Sequence, residues 1–150
     1  EKVRFDRVLC DVPCCGDGTI RKALGLLSAW TPLGGVAFHG MQLAILQRGL
    51  AMLKPGGLLC YSTCALNPVE CEAVVAAALW EAGGTVETVQ VEVPGLWLAP
   101  GLTEWRVPST NQEAKEEGGA HVSFGSWEEV PESDKCEHMR LHRSMFPPAA

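Results

Sequence analysis

Long apolar runs, a surplus of positive charge and regularly spaced cysteines are all absent from this 150-residue sequence. No stretch approaches the run of about eighteen apolar residues that a transmembrane helix needs, and the first residues lack the layout of a signal peptide. The formal net charge of −6 excludes the basic surface typical of an autonomous nucleic-acid-binding domain. The seven cysteines form neither a CxxC pair nor a disulfide-scaffold spacing, which indicates reduced thiols in an intracellular compartment.

A glycine-rich cofactor loop is absent too. Gly34-Gly35 and Gly56-Gly57 are isolated pairs, and neither has the strand-loop-helix setting of a phosphate- or cofactor-binding loop. With 47% apolar residues, the chain is nevertheless long enough for one domain with a hydrophobic core. We expect this domain over residues 1–100, followed by an acidic, partly ordered extension over 101–150 in which the tryptophans and the final MFPP pack locally.

Alternating strand and helix patterns are what the sequence does contain. The predicted elements are a strand over 4–10, a helix from His39 to Leu53, a strand over 58–63, a helix from Pro68 to about Ala82 and a strand over 85–93. Lys54-Pro55-Gly56-Gly57 ends the first helix, and Asn67 caps the second. This order predicts an α/β fold with parallel strands, in which ligands bind at the carboxyl ends of the strands.

Two cysteine-containing loops follow predicted strands. In DVPCCGDGT, residues 11–19, Cys14 lies between Pro13 and Gly16, and glycine allows close approach of a ligand. Cys64 lies near the start of a predicted helix, where unpaired N–H groups and the helix dipole favour a reactive thiolate. A small buried residue that ends a strand is the alternative for Cys64. If the two strands are neighbours, Cys14 and Cys64 converge on one crevice.

These loops resemble those of the Sun-domain (NSUN) family of RNA cytosine-5 methyltransferases, most closely its nuclear tRNA-methylating branch. DVPCCGDGT is similar to the family's DxPCSGxGT loop, and YSTCALNPVECEAVV to its YSTCSxNPxExEAVV segment. HGMQLAILQRGLAMLKPGG and the final MFPP also resemble the family, whereas residues 108–135 do so most weakly. The resemblance implies a Rossmann-like S-adenosylmethionine-dependent methyltransferase sheet, truncated at both ends, with residues 1–100 as the C-terminal half of the catalytic domain.

The family's site residues map onto both loops. By resemblance, Cys64 is the nucleophile that adds to carbon 6 of cytosine, and Cys14 assists release of the product. Asp11 matches the family's aspartate that borders both S-adenosylmethionine and the target base, although a turn-capping role is its alternative. Pro13 and Gly16 are expected to shape the base pocket.

The resemblance also implies the partners and the location. A thiol that attacks cytosine from the ring face needs an unstacked base, so we expect a looped or flipped-out RNA cytosine in tRNA as the substrate. S-adenosyl-L-methionine is the expected cofactor. We further expect a monomer in the nucleus or nucleolus, without a membrane or metal partner.

The chain departs from the family at two positions and lacks one region. Cys15 and Ala65 stand where the family has serines. The glycine-rich loop that holds most of S-adenosylmethionine lies upstream of this segment in the family. We therefore expect the isolated chain to bind the cofactor poorly and to be inactive.

Three alternatives stay open at this point. Cys14 is the nucleophile in the first, as the corresponding cysteine is in DNA cytosine methyltransferases. The second is a truncated isoform or degenerate copy that acts only as an interaction module. The third is a redox or metal protein built on the CxxxC pairs Cys10/Cys14 and Cys60/Cys64, although an extended CxxxC span is too long for a disulfide.

The histidines give weaker signals. His39 heads a predicted helix, and we expect a capping or surface role for it. The group of His121, His138, His142 and Cys136 fits no usual spacing of zinc ligands, so no metal site is predicted.

Overall fold

The computed structural model of the chain describes residues 3–111, 121–132, 134–135 and 141–148. Its helices and strands, in chain order, are β1 (Phe5–Asp11), α1 (Gly25–Ala29), α2 (Gly34–Ala51), β2 (Leu53–Ser62), α3 (Glu72–Glu81), β3 (Val107–Pro108) and β4 (Ser123–Phe124). Single 3₁₀ turns lie at Asp17–Thr19, Trp127–Glu129 and Arg143–Met145. The arrangement is mixed α/β, as the sequence predicts.

Strands β1 and β2 form a small parallel sheet, and the connection between them contains α1 and α2. Their register is regular from Arg7 opposite Leu58 to Asp11 opposite Ser62. Before this stretch the pairing is irregular. Phe5 lies opposite Leu53, so that Asp6 of β1 faces the four residues 54–57 of β2. A parallel pair brings both carboxyl ends to one edge of the sheet, so Asp11 and Ser62 lie side by side there.

Helix α2 packs closely on the sheet at Gly49. A Cβ atom on Gly49 would lie 2.6 Å from Cys10 Sγ and 2.8 Å from Leu59 Cδ1, so only glycine fits there without a shift. On its other side α2 packs against α3, where Leu43 and Leu46 meet Val74. Burial of these aliphatic side chains fixes α2 between the sheet and α3, and α2 in turn supports the edge where β1 and β2 end.

The C-terminal part of the chain contributes most of the second core cluster. Seven of its ten buried residues follow residue 100, and they pack on Val36, Val69 and Ala73. The Trp105 indole N–H donates to the Met145 carbonyl oxygen at 2.7 Å, which satisfies its polar atom inside the cluster. The chain after residue 100 therefore packs on the starts of α2 and α3 and on the loop before α3. The domain boundary at residue 100 stays a prediction.

The predicted third strand is wrong. Residues 85–93 form no strand, and Val89, Val91 and Val93 are exposed. Alternation makes a segment compatible with a sheet, but the backbone also needs a neighbouring strand to bond with, and the described residues provide none for it. The exposed valines are the consequence.

Three element boundaries also differ from the predictions. Helix α2 begins at Gly34, before the predicted start at His39, and β2 begins at Leu53 and includes the lysine-proline-glycine segment that we expected to be a turn. Helix α3 begins at Glu72 instead of Pro68. Asn67 Oδ1 accepts the backbone N–H of Val69 at 2.9 Å, which closes a local turn and delays the helix.

The helices of the described residues are short or contain polar positions. None of them, in the ranges given above, combines the length and the hydropathy that a bilayer-spanning segment requires.

Candidate active site

The thiols of Cys14 and Cys64 meet beyond the carboxyl ends of β1 and β2. Their Sγ atoms lie 3.2 Å apart, although fifty residues separate them in the sequence. Cys64 is exposed, whereas Cys14 is half-buried. The convergence predicted from the two loops is observed, and Cys14 contacts Cys64 and not Cys10, its CxxxC neighbour.

Backbone contacts hold the two loops together. The N–H of Gly18 donates to the Cys64 carbonyl oxygen at 3.0 Å, and the N–H of Leu66 donates to Asp17 Oδ1 at 2.6 Å. Gly18 cannot carry a side chain in this arrangement, because a Cβ atom would lie 2.5 Å from the same carbonyl oxygen. Gly16 adopts a φ of 75°, a left-handed conformation that favours glycine. The DVPCCGDGT loop therefore needs its glycines to reach the second loop.

Asp11 and Pro13 flank this thiol pair. Asp11 is the last residue of β1 and is exposed, and its Oδ1 accepts the Ser62 hydroxyl at 2.6 Å. Pro13 is also exposed, and its carbonyl oxygen faces inward and accepts Gln42 Nε2 at 2.9 Å. The structure thus brings Asp11 and Pro13 to the same edge as both thiols.

The surroundings of the thiols separate their pKa values. Partial burial by itself raises the pKa of Cys14, but hydrogen bonds with the Thr63 hydroxyl, with the Cys64 thiol and with the backbone of Cys64 and Gly16 outweigh burial, so that this pKa is lowered. The bond with Cys14 is the main reason why the pKa of Cys64 is raised. The two directions favour the thiolate form of Cys14 over that of Cys64. The raised pKa of Cys64 is opposite to the activation expected near a helix start, because α3 begins only at Glu72.

Cys15 has different chemistry from its neighbour. Burial, and next the hydrogen bond with Glu70, raise its pKa to about 12. A thiol with such a pKa stays protonated at neutral pH and is a poor nucleophile. Cys15 therefore acts as a small uncharged residue, which agrees with its position where the related loops have serine.

A buried polar group behind the loop was not predicted. Glu70 and Gln42 are fully buried, and Glu70 Oε1 accepts Gln42 Nε2 at 3.0 Å and the backbone N–H of Cys15 at 2.9 Å. Glu70 lies three residues after Asn67, which is the spacing of a capping pair at a helix start, so the sequence alone does not indicate this contact. The sequence does indicate that Gln42 is buried, because it lies at helical spacing with Leu43 and Leu46 on the buried face of α2.

His39 is buried instead of capping a helix or lying at the surface. Its Nδ1 lies 2.7 Å from the Val69 carbonyl oxygen and its Nε2 lies 2.8 Å from Ser144 Oγ. Since a carbonyl oxygen only accepts, Nδ1 carries the proton. Burial lowers the pKa of His39, which favours this neutral form. His39 therefore links α2 to the loop before α3 and to the C-terminal 3₁₀ turn.

Of the four residues weighed as zinc ligands, the structure describes His121 and His142. No group of three or more potential metal ligands occurs among the described residues. His121 is engaged with the Ser109 carbonyl oxygen at 2.7 Å. Cys136 and His138 lie outside the described residues.

One cavity of the described residues is lined by neither Cys14 nor Cys64. It has a volume of about 1050 Å³ and lies between the end of β2, α3 and Trp105. Thr63 and Ala65 reach its wall, whereas Cys14 and Cys64 do not. Of the two thiols, that of Cys64 is exposed at the surface.

A parallel α/β sheet with two thiols and a carboxylate at its carboxyl edge defines an α/β protein with an enzyme-like site. The family model described as 16S rRNA methyltransferase RsmB/F matches residues 1–113. The chain therefore belongs to the RsmB/F (NSUN) family of RNA cytosine-5 methyltransferases, as the resemblance of its two loops indicates.

Relatives in this family share much of the chain. It is 47% identical over 147 residues to the multisite-specific tRNA:(cytosine-C(5))-methyltransferase of Saccharomyces cerevisiae, which covers 95% of the chain and 21% of the relative. Identity to the tRNA (cytosine(34)-C(5))-methyltransferase of Drosophila melanogaster is 41%, over 97% of the chain and 18% of the relative. Ribosomal RNA small subunit methyltransferase F of Escherichia coli is 36% identical, over 97% of the chain and 27% of the relative. The chain thus spans about a fifth to a quarter of these relatives.

Proposed function

We propose that this chain carries the two-thiol site of an enzyme that transfers a methyl group from S-adenosylmethionine to carbon 5 of cytosine in tRNA. The distance of 3.2 Å between Cys14 Sγ and Cys64 Sγ is the observation that carries the proposal. Cytosine carbon 5 is a weak nucleophile. A thiolate that adds to carbon 6 converts the ring into an enamine, in which carbon 5 is reactive. A second thiol within proton-transfer reach of the first is suited to both the attack and the release.

The proposed steps balance with one proton shared by the pair. As Cys64 Sγ bonds to carbon 6, its proton passes to the Cys14 thiolate. Once carbon 5 is methylated, it loses its own proton to solvent and the bond between carbon 6 and Cys64 Sγ breaks. Cys14 then returns its proton to the leaving Cys64 sulfur, which restores the starting pair.

Asp11 is proposed to face the base and the cofactor. Its carboxylate is exposed beside the thiols, and it is suited to accept the cytosine amino group or to share a proton at the ring nitrogen. Pro13 and Gly16 are proposed to shape the pocket for the base. Attack from the ring face requires an unstacked cytosine, which favours a looped or flipped-out target in tRNA.

The fit of this chain to the cofactor rests on Asp11. Bound S-adenosylmethionine supplies a sulfonium-activated methyl group, and an exposed carboxylate at the end of β1 suits a cationic ligand. One carboxylate is a small part of a cofactor site, so we propose that the 150-residue chain alone binds the cofactor weakly and that the whole enzyme has a larger Rossmann-like sheet. From the family resemblance we also propose a monomeric state and a nuclear location.

A second candidate keeps the reaction and exchanges the two roles. The lowered pKa of Cys14 favours it as the thiolate, and hence as the nucleophile. The exposure of Cys64 favours our assignment, because an exposed thiol is the one that reaches a base outside the loops.

Methyl transfer by the full-length protein tests the function. Purified protein is incubated with tRNA and isotopically methyl-labelled S-adenosylmethionine, and the digested nucleosides are analysed by mass spectrometry. Label in 5-methylcytidine, lost in Cys64→Ala, is the expected result. Label on another atom, or no label with protein that binds both substrates, would contradict the proposal.

A further inference from the structure

We propose that Glu70 is a positioning residue that holds Cys14 at its distance from Cys64. The inference deepens the proposed function and rests on it for the chemical purpose of the thiol pair. Its geometry concerns the peptide bonds on each side of Cys14.

Glu70 fixes the peptide after Cys14. Its side chain is fully buried, and Oε1 accepts the N–H of Cys15 at 2.9 Å. That N–H belongs to the peptide group that joins Cys14 to Cys15. The bond therefore limits rotation of the backbone that carries the Cys14 thiol.

Gln42 fixes the peptide before Cys14. Its Nε2 donates to the Pro13 carbonyl oxygen at 2.9 Å and to Glu70 Oε1 at 3.0 Å. One buried pair from α2 and the loop before α3 thus holds both peptides that flank Cys14.

Glu70 is itself tied to the strand that leads to Cys64. The Tyr61 hydroxyl donates to the Glu70 carbonyl oxygen at 2.6 Å, and Tyr61 lies in β2, three residues before Cys64. Space for the carboxylate depends on Gly35, whose Cβ would lie 3.1 Å from Glu70 Oε2. The same residue therefore connects the backbone of one thiol loop to the strand of the other.

The burial of the Glu70 side chain lowers the stability of the fold. Its Oε2 and the Oε1 of Gln42 have no hydrogen-bond partner among the described residues. A buried polar atom without a partner opposes folding. The bonds that Glu70 Oε1 makes with the Cys15 N–H and with Gln42 offset part of this cost, and both lie at the Cys14 loop.

Disulfide trapping measures this support directly. Diamide oxidises two thiols to a disulfide and takes up their two hydrogen atoms, and the Sγ atoms of Cys14 and Cys64 need to close from 3.2 Å to about 2.05 Å. The rate of Cys14–Cys64 disulfide formation in the purified protein is followed by peptide mass spectrometry. Since the reaction needs neither RNA nor cofactor, normal trapping without methyl transfer would contradict the proposed function and not this inference.

Three variants give the expected pattern. Glu70→Ala lowers the trapping rate about tenfold, which corresponds to about 1.4 kcal/mol. Glu70→Gln keeps an acceptor for the Cys15 N–H and stays within about twofold of the unsubstituted protein. Glu72→Ala is the matched control, because its carboxylate bonds the Leu102 N–H away from the thiols, and it leaves the rate unchanged.

Trapping at the unsubstituted rate by Glu70→Ala with an unchanged circular dichroism spectrum would overturn the inference. If Glu70→Ala fails to fold, Glu70→Leu decides, because leucine fills much of the same buried space but offers no acceptor to the Cys15 N–H. A trapping rate lowered about threefold supports the positioning role, and an unchanged rate overturns it.

Discussion

Cys14 and Cys64 differ in how firmly the structure holds them. Cys14 is half-buried, and both peptides beside it are fixed by the buried pair of Gln42 and Glu70. Cys64 is exposed, and its carbonyl oxygen is bonded to Gly18 of the opposite loop. A fixed thiol suits repeated acceptance and return of a proton, whereas an exposed thiol suits attack on a base, so the contrast supports the roles that we propose.

Gly18→Ala is expected to have the largest effect, because it displaces the loop of Cys64 relative to the loop of Cys14. The new Cβ would lie 2.5 Å from the Cys64 backbone carbonyl oxygen, and a backbone atom cannot move aside without moving its loop. Because a displacement of about 1 Å at a reacting group costs about 100-fold in rate, methyl transfer by the full-length protein should fall by that order. Gly40→Ala, which meets no atom within 4 Å, should keep its rate. Equal rates for the two variants would contradict the packing that we describe.

Gly35→Ala tests the support behind Cys14. Its Cβ would clash with the side-chain amide of Asn67, in the turn that precedes Glu70. Moving the Asn67 side chain aside should break its bond with the Val69 N–H and lower the free energy of unfolding by about 1 to 3 kcal/mol in urea denaturation. Gly40→Ala in the same helix should instead raise it by up to about 1 kcal/mol, because alanine is the better helix former. A shift of the same sign in both variants would argue against close packing at Gly35.

The pH dependence of alkylation gives the smallest expected effect. A hydrogen bond from Cys64 stabilises the Cys14 thiolate and so lowers the pKa of Cys14. Removing the donor in Cys64→Ala should therefore raise the pH midpoint for iodoacetamide labelling of Cys14, measured by mass spectrometry of its peptide. A midpoint that stays unchanged or falls would mean that the two thiols are not coupled.

Local patterns predicted the parts of the fold that depend on few neighbours. β1, the second half of β2 and most of α2 follow from apolar spacing and flanking turn residues. The meeting of Cys14 and Cys64 also followed, because parallel neighbouring strands bring loops at their carboxyl ends together.

Features that depend on distant contacts were not predictable in this way. The valines of 85–93 alternate as in a strand, yet no described strand pairs with them. The pattern around Asn67 and Glu70 indicated a helix start, whereas the Glu70 carboxylate instead bonds the Cys15 backbone. His39 is buried because the C-terminal turn with Ser144 packs over it, and spacing within α2 does not reveal that contact.

Adduct trapping with the full-length protein and tRNA tests the proposed roles most directly. Without a thiol to assist release, Cys14→Ala should accumulate a protein–RNA adduct that survives denaturant, seen as a band of reduced mobility on a denaturing gel. Cys64→Ala, without the attacking thiol, should form none. The reverse pattern, an adduct in Cys64→Ala and none in Cys14→Ala, would contradict the account and make Cys14 the nucleophile.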